Sequence, residues 1–580
     1  MESPIGWDNA SQIRKYSRKS AAGERENWCV LEKGEETAAT HFIVCKEVAT
    51  RVEVMTVTFR DFRPQNIAPV SLARLVSGFT TEIDPAWEDV QVRGASMASD
   101  EILAGEAFIA VGGANVHAAK FASEVEALGA AAVITDAKGA QIATSQGVKI
   151  PVVTVPDPRE AASLLAIRAF DNPAGKMKTV AVTGTNGKTT TCFAAKAAFE
   201  AAGLSTMILS TAETQVGDLR IQSSRTTFEG PMLQRILAYG VEQGMQAAVV
   251  EVSAHALALA RVAGMKFDAT AFTNLQHDHL DYFHTMENYL AAKARLCSKE
   301  FTDYSVICVD DKWGQQLAAN CDTQNVTVSA YDPNASADWV VTRKVNNIAH
   351  AACDFTLTGK TEPNVGREEK ITVALPGEVN VQDAAIAYLM VTGIGIPAEA
   401  VKAGLASLAV PGRLEIVSRR NEGTPLVIND YAHTPEALAS ILRTMQEFTP
   451  GKLHLVFGTD GDRDATKRVP LAKVAAQEAD ILWVTDENPR TENAESIRAQ
   501  LLSGIKEERP GMENVCEVTT CRRDAIRKAI LAAAKDDTVI ITGKGAEPYQ
   551  EIEGVFHAFN DTPVARDCLA AYKNRAHIKG

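Results

Sequence analysis

Apolar positions in this chain fall mostly into short continuous runs rather than strict alternation. In the first third, AFIAVGG (107–113), AAVITD (131–136) and PVVTV (151–155) are separated by Ala-rich stretches such as FASEVEALGA (121–130). Short strands alternating with helical segments predict a small α/β unit. A second series runs through KTVAVTG (178–184), AAVVEVS (247–253), ATAFTNL (269–275) and SVICVDD (305–311). Runs this continuous suit strands covered on both faces, as in a parallel sheet. Residues 325–375 are richer in β-branched side chains and predict antiparallel strands, and VNVQDAAIAYLMVTGIG (379–395) predicts a helix. A third series follows PGRLEIV (411–417): LVIND (426–430), KLHLVFG (452–458), DILWVTD (480–486) and DTVIITGKG (537–545). The predicted fold class is therefore α/β throughout. The predicted partition is a polar segment at 1–54, an N-terminal domain at 55–171, a central domain at 172–408 and a C-terminal domain at 409–580. The first segment lacks a clear period and is followed by Met55. It reads either as a genuine extension or as a start-site artefact.

Composition narrows the class. The chain has 580 residues, 46% hydrophobic and 23% charged, with a formal net charge of −14. Those proportions are ordinary for a soluble globular protein and exclude a mostly disordered chain. An acidic balance disfavours nucleic acid as a partner, because its phosphates need a basic face. No apolar run approaches the length of a membrane helix, and the N-terminus lacks the apolar core of a signal peptide. The ten cysteines form no CxxC pair. Free thiols in a reducing cytoplasm are the expectation.

The sharpest chemical signal is AVTGTNGKTTT, Ala181 to Thr191, between a predicted strand and a predicted helix. Glycines let backbone N–H groups close around phosphate, and the new helix points its N-terminus at the anion. Gly184, Thr185, Asn186, Gly187, Lys188, Thr189 and Thr190 form the candidate ATP loop. Lys188 is placed to neutralise the β and γ phosphates and Thr189 to ligate magnesium. Val182 stands where a strict Walker A motif has its first glycine, so this is a shortened variant.

TGTNGKTTT resembles the ATP-binding loop of the Mur ligase family, and the resemblance runs from about residue 90 to the C-terminus. It implies a three-domain architecture: a small N-terminal α/β domain, a P-loop-type ATPase domain with a mainly parallel sheet, and a Rossmann-like C-terminal domain. In VVEVSAHALALARV (249–262), Glu251, Ser253 and His255 lie at a strand's end. Alone, such a run is an ordinary strand-to-helix turn. It is similar to the family's EVSSHGL segment, which implies that Glu251 or His255 helps hold magnesium, and Arg261 matches an arginine that contacts the nucleotide-sugar substrate. FTNLQHDHLDYFH (272–284) resembles FTNLxxDHLDYH, which implies that Asn274 and His279 lie on the adenine side. Lys293 in YLAAKARL matches a lysine that relatives carbamylate, which turns a cation into a carboxylate-like magnesium ligand. The implied catalytic set is Lys188, Glu251, His255 and Lys293, and the implied metal set is Thr189, Glu251, His255 and Lys293. VPGRLEIV (410–417) and VINDYAHTPEAL (427–438) resemble segments in which the positions of Arg413 and Asp430 help hold ATP.

Three strands of the last domain end in polar loops, TDGDRDATKR, DENPRTEN and KGAEPYQ. In a parallel sheet such loops collect at one edge and form a site. Arginines suit a carboxylate and acids suit an ammonium, so this edge is expected to bind a zwitterion through Arg463, Asn488, Arg490 and Glu547, with Gly543 nearby. The loops resemble GGDRDKxKR, DNPR and GKGHE of the MurE-type subfamily. Arg490 favours meso-diaminopimelate, and L-lysine or L-ornithine are the alternatives. Glu487 replaces the usual aspartate, Ala546 the usual histidine, and Thr459-Asp460 the usual Cys-Gly.

The nucleotide-sugar segments depart further. In SMASDEILAGEAFIAVGGANVHAAKF (96–121), Ser99 is retained, but Ala98 and Asp100 stand where Asp and Arg are expected, and Ala119 where His is expected. TTFEG (226–230) carries Phe228 for proline and keeps Thr226, Thr227 and Glu229. The implied UDP-substrate set is Ser99, Thr226, Thr227, Ser253 and Arg261.

The resemblance implies an ATP-dependent amide ligase using magnesium and a carbamate on Lys293. Its expected substrates are ATP, UDP-MurNAc-L-Ala-D-Glu and a diamino acid, joined through an acyl-phosphate in peptidoglycan precursor synthesis. A cytoplasmic monomer is expected, with no nucleic acid and no integral membrane association. The rivals are another Mur-type ligase such as a folylpolyglutamate synthase, a P-loop NTPase switch, and a silent binding homologue.

Overall fold

Strand Lys178–Thr183 occupies the middle of an eleven-stranded sheet, flanked by Ala247–Glu251 on one side and Ala269–Phe272 on the other, all parallel. The chain therefore leaves this strand, forms neighbours on one side, and later returns to build the other. That is the topological switch at which α/β sheets bind ligands beyond their strand ends. The computed structural model describes the backbone of Ile13–Lys19, Arg25–Leu31, Phe42–Val48 and Arg51–Val57, then residues 58–579 except 81, 82, 114, 115 and 224. Side chains are described from 58 to 574, with the same exceptions. The expectation of a polar segment at 1–54 lies largely outside the described residues. There the four described strands pair as two antiparallel hairpins.

The strands of the large sheet are buried because both faces are covered. Val180, Ala181 and Val182 are fully inaccessible, as are Ala247 to Val249. Helix Lys188–Ala201 packs on one face through Cys192, Ala195 and Phe199, joined there by Glu378–Gly393. The other face carries Met207, Leu233, Leu237 and Phe301. The β-branched stretch resolves into two behaviours. Gln324–Ser329 pairs parallel with Tyr304–Cys308, whereas Trp339–Asn347, Ala352–Gly359 and Glu368–Val373 form an antiparallel meander at the sheet's edge.

A four-stranded parallel sheet, Val152–Thr154, Ala132–Thr135, Ala107–Ala110 and Ala95–Ser96, precedes the large one. It is joined to the large sheet's helix Gly230–Glu242 by a buried ion pair, Arg235 to Glu106 at 2.7 Å. A six-stranded sheet follows. Its order is Glu415–Ser418, Leu426–Asp430, Thr538–Thr542, Leu453–Phe457, Ile481–Val484 and Val515–Glu517. Only the first pair is antiparallel. Its loops at Gly458, Thr485 and Gly543 thus emerge from one edge, as expected for parallel strands.

Candidate functional site

The phosphate loop is shaped by two glycines and gripped by its neighbour. Gly184 has φ +147° and Gly187 φ +82°. A Cβ on Gly184 would meet Thr273 Oγ1 at 1.9 Å, and one on Gly187 would meet Asp383 Oδ1 at 2.2 Å. No other residue fits this curve. Asn274, just beyond strand Ala269–Phe272, holds the loop reciprocally. Its carbonyl oxygen Oδ1 accepts from Asn186 N at 3.0 Å, and its Nδ2 donates to Asn186 O at 3.2 Å. Thr185 N donates to Asn274 O. Helix Lys188–Ala201 starts at Gly187 with no side-chain cap, so its first N–H groups remain for an anion. Lys188 Nζ donates to Thr185 O at 2.8 Å, curled over the loop.

Glu251 ends its strand against this helix. Thr189 Oγ1 donates to Glu251 Oε2 at 3.0 Å. Thr211 donates to the same carboxylate twice, from its N and from its Oγ1, each at 2.9 Å. Thr227, which is buried, donates to Glu251 O and accepts from Ser253 N. Its hydroxyl is thus spent internally. Ser253 Oγ caps the helix Ala254–Ala258 by accepting from Ala256 N. The Thr226 hydroxyl lies 3.0 Å from Thr211 Oγ1, which can accept from it while donating to Glu251. Arg261 donates to Thr227 O and pairs with Glu229 at 2.7 Å. Arg225 and Arg159 also pair with Glu229, so three arginines converge on one acid.

Lys293 comes from helix Met286–Ala294 and is buried beneath the loop, with Nζ 2.5 Å from Gly184 O. Burial, and next the charge of Lys188, hold its amine well below the usual lysine range. The His255 ring contacts those of His279, Tyr282 and Phe283. Burial, with help from His279 and Arg261, lowers its pKa. The structure thus brings together Gly184 to Thr190, Glu251, His255, Asn274, His279 and Lys293. Thr211 and Asp383 escaped sequence reasoning. An aspartate inside the apolar run VNVQDAAIAY was the available signal. Burial pushes the Asp383 carboxyl well up, opposed by the neighbouring Thr191 and Thr190 hydroxyls and by the charge of Lys188.

On the facing sheet, Asp430 accepts from Leu414 N and Ala432 N, each at 2.7 Å. Burial raises its pKa, with Arg413 the main opposing charge. Arg413 lies over the Tyr431 ring, 4.2 Å from its centre. A cavity of about 280 Å³ opens between the two sheets, lined among others by Thr211, Thr226, Arg413, Tyr431 and Lys544.

The three strand-end loops meet as predicted. Lys544, fully buried, donates to Asn488 Oδ1 at 3.1 Å, to Glu547 Oε2 at 3.0 Å and to Tyr549 O. Asn488 Nδ2 is shared between Asp460 Oδ1 and Glu547 Oε2, both at 3.1 Å. Arg490, at φ +55°, reaches Asp460 at 3.4 Å and Glu551 at 3.5 Å. Gly543 is required because a Cβ there would meet Glu487 Oε2 at 2.4 Å. Glu487 is pushed up to about 8, first by burial and next by Asp460. Arg463 is exposed on its loop, and Ser99 is half-buried in the N-terminal unit at the start of the turn Ser99–Glu101. Neither is drawn into these clusters. The sequence marks Lys544 only by the KG dipeptide that follows a strand.

A phosphate-binding sheet and a second α/β sheet that close on one cleft are the architecture of an ATP-dependent ligase. The chain belongs to the Mur ligase family. The family models for the Mur ligase middle domain and for the Mur ligase, glutamate ligase domain match residues 182–391 and 412–545. It is 36% identical over 513 residues to a UDP-N-acetylmuramoyl-L-alanyl-D-glutamate--2,6-diaminopimelate ligase of Streptomyces avermitilis, covering 87% of this chain and 98% of the relative. It is 37% identical over 500 residues to a UDP-N-acetylmuramyl-tripeptide synthetase of Leifsonia xyli, covering 85% and 94%. A solved UDP-N-acetylmuramoyl-L-alanyl-D-glutamate--2,6-diaminopimelate ligase superposes with a TM-score of 0.64 at 28% identity, covering 87% of this chain and all of that one. No helix among the described residues is long and apolar enough to cross a membrane.

Proposed function

We propose that this chain is an ATP-dependent ligase that joins a diamino acid, meso-diaminopimelate in preference to L-lysine or L-ornithine, to the D-glutamate of UDP-MurNAc-L-Ala-D-Glu. It does so as a cytoplasmic monomer. The names of its relatives support the acceptor and the donor. The observation that carries the reading is the shared cavity, where Thr211 and Thr226 of the large sheet face Arg413 and Lys544 of the second. A carboxylate activated at the phosphate loop and an amine held at the strand-end loops would meet there.

The donor's γ-carboxylate oxygen attacks the γ-phosphorus of ATP, and the bond to ADP breaks. The amine then attacks the acyl carbon and expels phosphate. No nucleophilic side chain is needed, so the protein's contribution is positioning and charge stabilisation. Lys188 and the N-terminus of helix Lys188–Ala201 hold the phosphates. Arg413 and Asp430 bring the second sheet to the nucleotide. Arg261, Thr226 and Ser99 serve the nucleotide-sugar side. Asn488, Arg490 and Glu547 orient the acceptor, and the backbone at Gly543 lets Glu487 close against it.

The donor set fits magnesium. Thr189 Oγ1 and the Glu251 carboxylate are hard oxygen ligands already in contact, with His255 beside the same strand end. Magnesium there would supply neutralisation of phosphate charge. Lys293 fits carbamylation, because burial favours the neutral amine, the form that is nucleophilic toward carbon dioxide. The resulting carbamate would give this dry site a second anionic oxygen ligand.

The test is a parallel ligation assay offering UDP-MurNAc-dipeptide with meso-diaminopimelate, L-lysine or L-ornithine, with the product read by mass. The expected result is a tripeptide product favouring meso-diaminopimelate. A strong preference for lysine would overturn the weight on Arg490, and no product with any amine would overturn the reading.

A further inference from the structure

The Arg490 guanidinium is held on one side and under-partnered on the other. Its backbone is clamped by the hairpin Tyr549–Ile552 and Val555–Ala558: Arg490 N donates to Glu551 O at 3.0 Å, and Glu553 N donates to Arg490 O at 2.6 Å. Nη1 faces Glu551 at 3.5 Å. The opposite edge, formed by Nε and Nη2, is the one that presents two parallel N–H groups to a carboxylate. On that edge Nη2 reaches Asp460 Oδ2 only at 3.4 Å, and the buried Nε donates to nothing among the described residues. A bidentate slot is thus half filled.

Asp460 is lightly tethered in that slot. Its Oδ1 accepts one neutral hydrogen bond, from Asn488 Nδ2, which also serves Glu547. Asp460, Glu487, Glu547 and Glu551 border the region, and the cations facing them include Arg490, Lys544, Arg468, which donates to Asp460 O while paired with Glu492, and Arg522, which is paired with Asp561. Lys544 is already committed to Asn488, Glu547 and Tyr549.

We infer that Asp460 is a specificity-determining residue: a resident carboxylate that competes with the acceptor's distal carboxylate for the Nε–Nη2 edge of Arg490. The inference rests on the acceptor reading above. A dicarboxylic diamino acid must displace Asp460, and it gains the second hydrogen bond that Asp460 does not make. An acceptor whose distal end carries an ammonium and no carboxylate, such as L-lysine, leaves Asp460 in place and pairs with it. Asp460 therefore weakens selection for the second carboxylate, using repulsion as well as attraction to set the preference.

Steady-state ligation by the full chain tests this with Asp460→Asn, which keeps the shape and the Asn488 contact, and with Asp460→Ser as a second variant. The KM for meso-diaminopimelate is expected to fall about threefold or more in both, while the KM for L-lysine stays or rises. A KM for meso-diaminopimelate that is unchanged or raised in both variants overturns the role of Asp460. So does a parallel shift for both acceptors. A wild-type enzyme that ligates neither amine overturns the acceptor reading and this inference with it.

Discussion

Lys293 Nζ lies 2.5 Å from the carbonyl oxygen of Gly184, so a buried amine from a distant helix supports the first glycine of the phosphate loop. Its pKa is depressed by burial and by Lys188. A pKa lowered in this way favours the neutral amine, the form that takes up carbon dioxide. Enzyme assayed in carbon-dioxide-free buffer is expected to lose turnover and regain it with bicarbonate. Labelled bicarbonate should give a carbamate carbon signal that Lys293→Ala lacks. Full activity of carbon-dioxide-free enzyme would refute the modification.

Lys188 and Glu251 divide the work at the loop, so their variants should fail differently. Lys188→Ala removes charge from a half-buried loop. It is expected to lose about 10²–10³-fold in turnover while its thermal midpoint holds. Glu251→Ala strands the donors of Thr189 and Thr211. It should lose activity and also about 1–3 kcal/mol of stability, read by chemical denaturation.

Glu487 gives a pH signature. Its pKa rises from 4.5 to about 8 on folding, through burial first and Asp460 second. The folded protein therefore holds a proton that the unfolded chain releases across that window. The stability this contributes is fully present below 4.5 and is lost as pH rises through about 8. Glu487→Gln keeps the neutral shape. Relative to wild type, its thermal midpoint should rise steadily across the same window. A constant difference would place a charged carboxylate there.

Arg235 and Glu106 join the N-terminal sheet to the large sheet's helix, with side chains only 1% and 4% exposed. Arg235→Met alone should cost about 3–5 kcal/mol by leaving Glu106 unpaired, whereas replacing both residues by apolar ones should recover much of it. Equal losses in the single and double variants would mean the pair itself provides the stability.

What the sequence disclosed was what is encoded locally. Val180 to Val182 are buried on both faces, so their apolar run marks a central strand, and Gly184 and Gly187 announce the loop because no Cβ fits. The helix at 379–395 was legible for the same reason. The contacts that finish the site join residues far apart in the chain. Thr211 meets Glu251 across neighbouring strands, and Asp383 packs under Gly187 from a helix nearly 200 residues on. The closeness of Asp460 to Arg490 depends on two strands lying side by side in register. No spacing rule along one chain reports such pairings. The polar loops predicted to meet at one sheet edge do meet, because parallel strands leave them no other side.

The central claim is that the donor carboxylate is activated by phosphorylation before the amine attacks. Donor labelled with heavy oxygen in the D-glutamate γ-carboxylate, incubated with ATP, magnesium and the diamino acid, tests it directly. One labelled oxygen is predicted to appear in the released phosphate for each amide formed, with ADP made only when donor and amine are both present. Unlabelled phosphate, or ADP release at the same rate without either substrate, would contradict it.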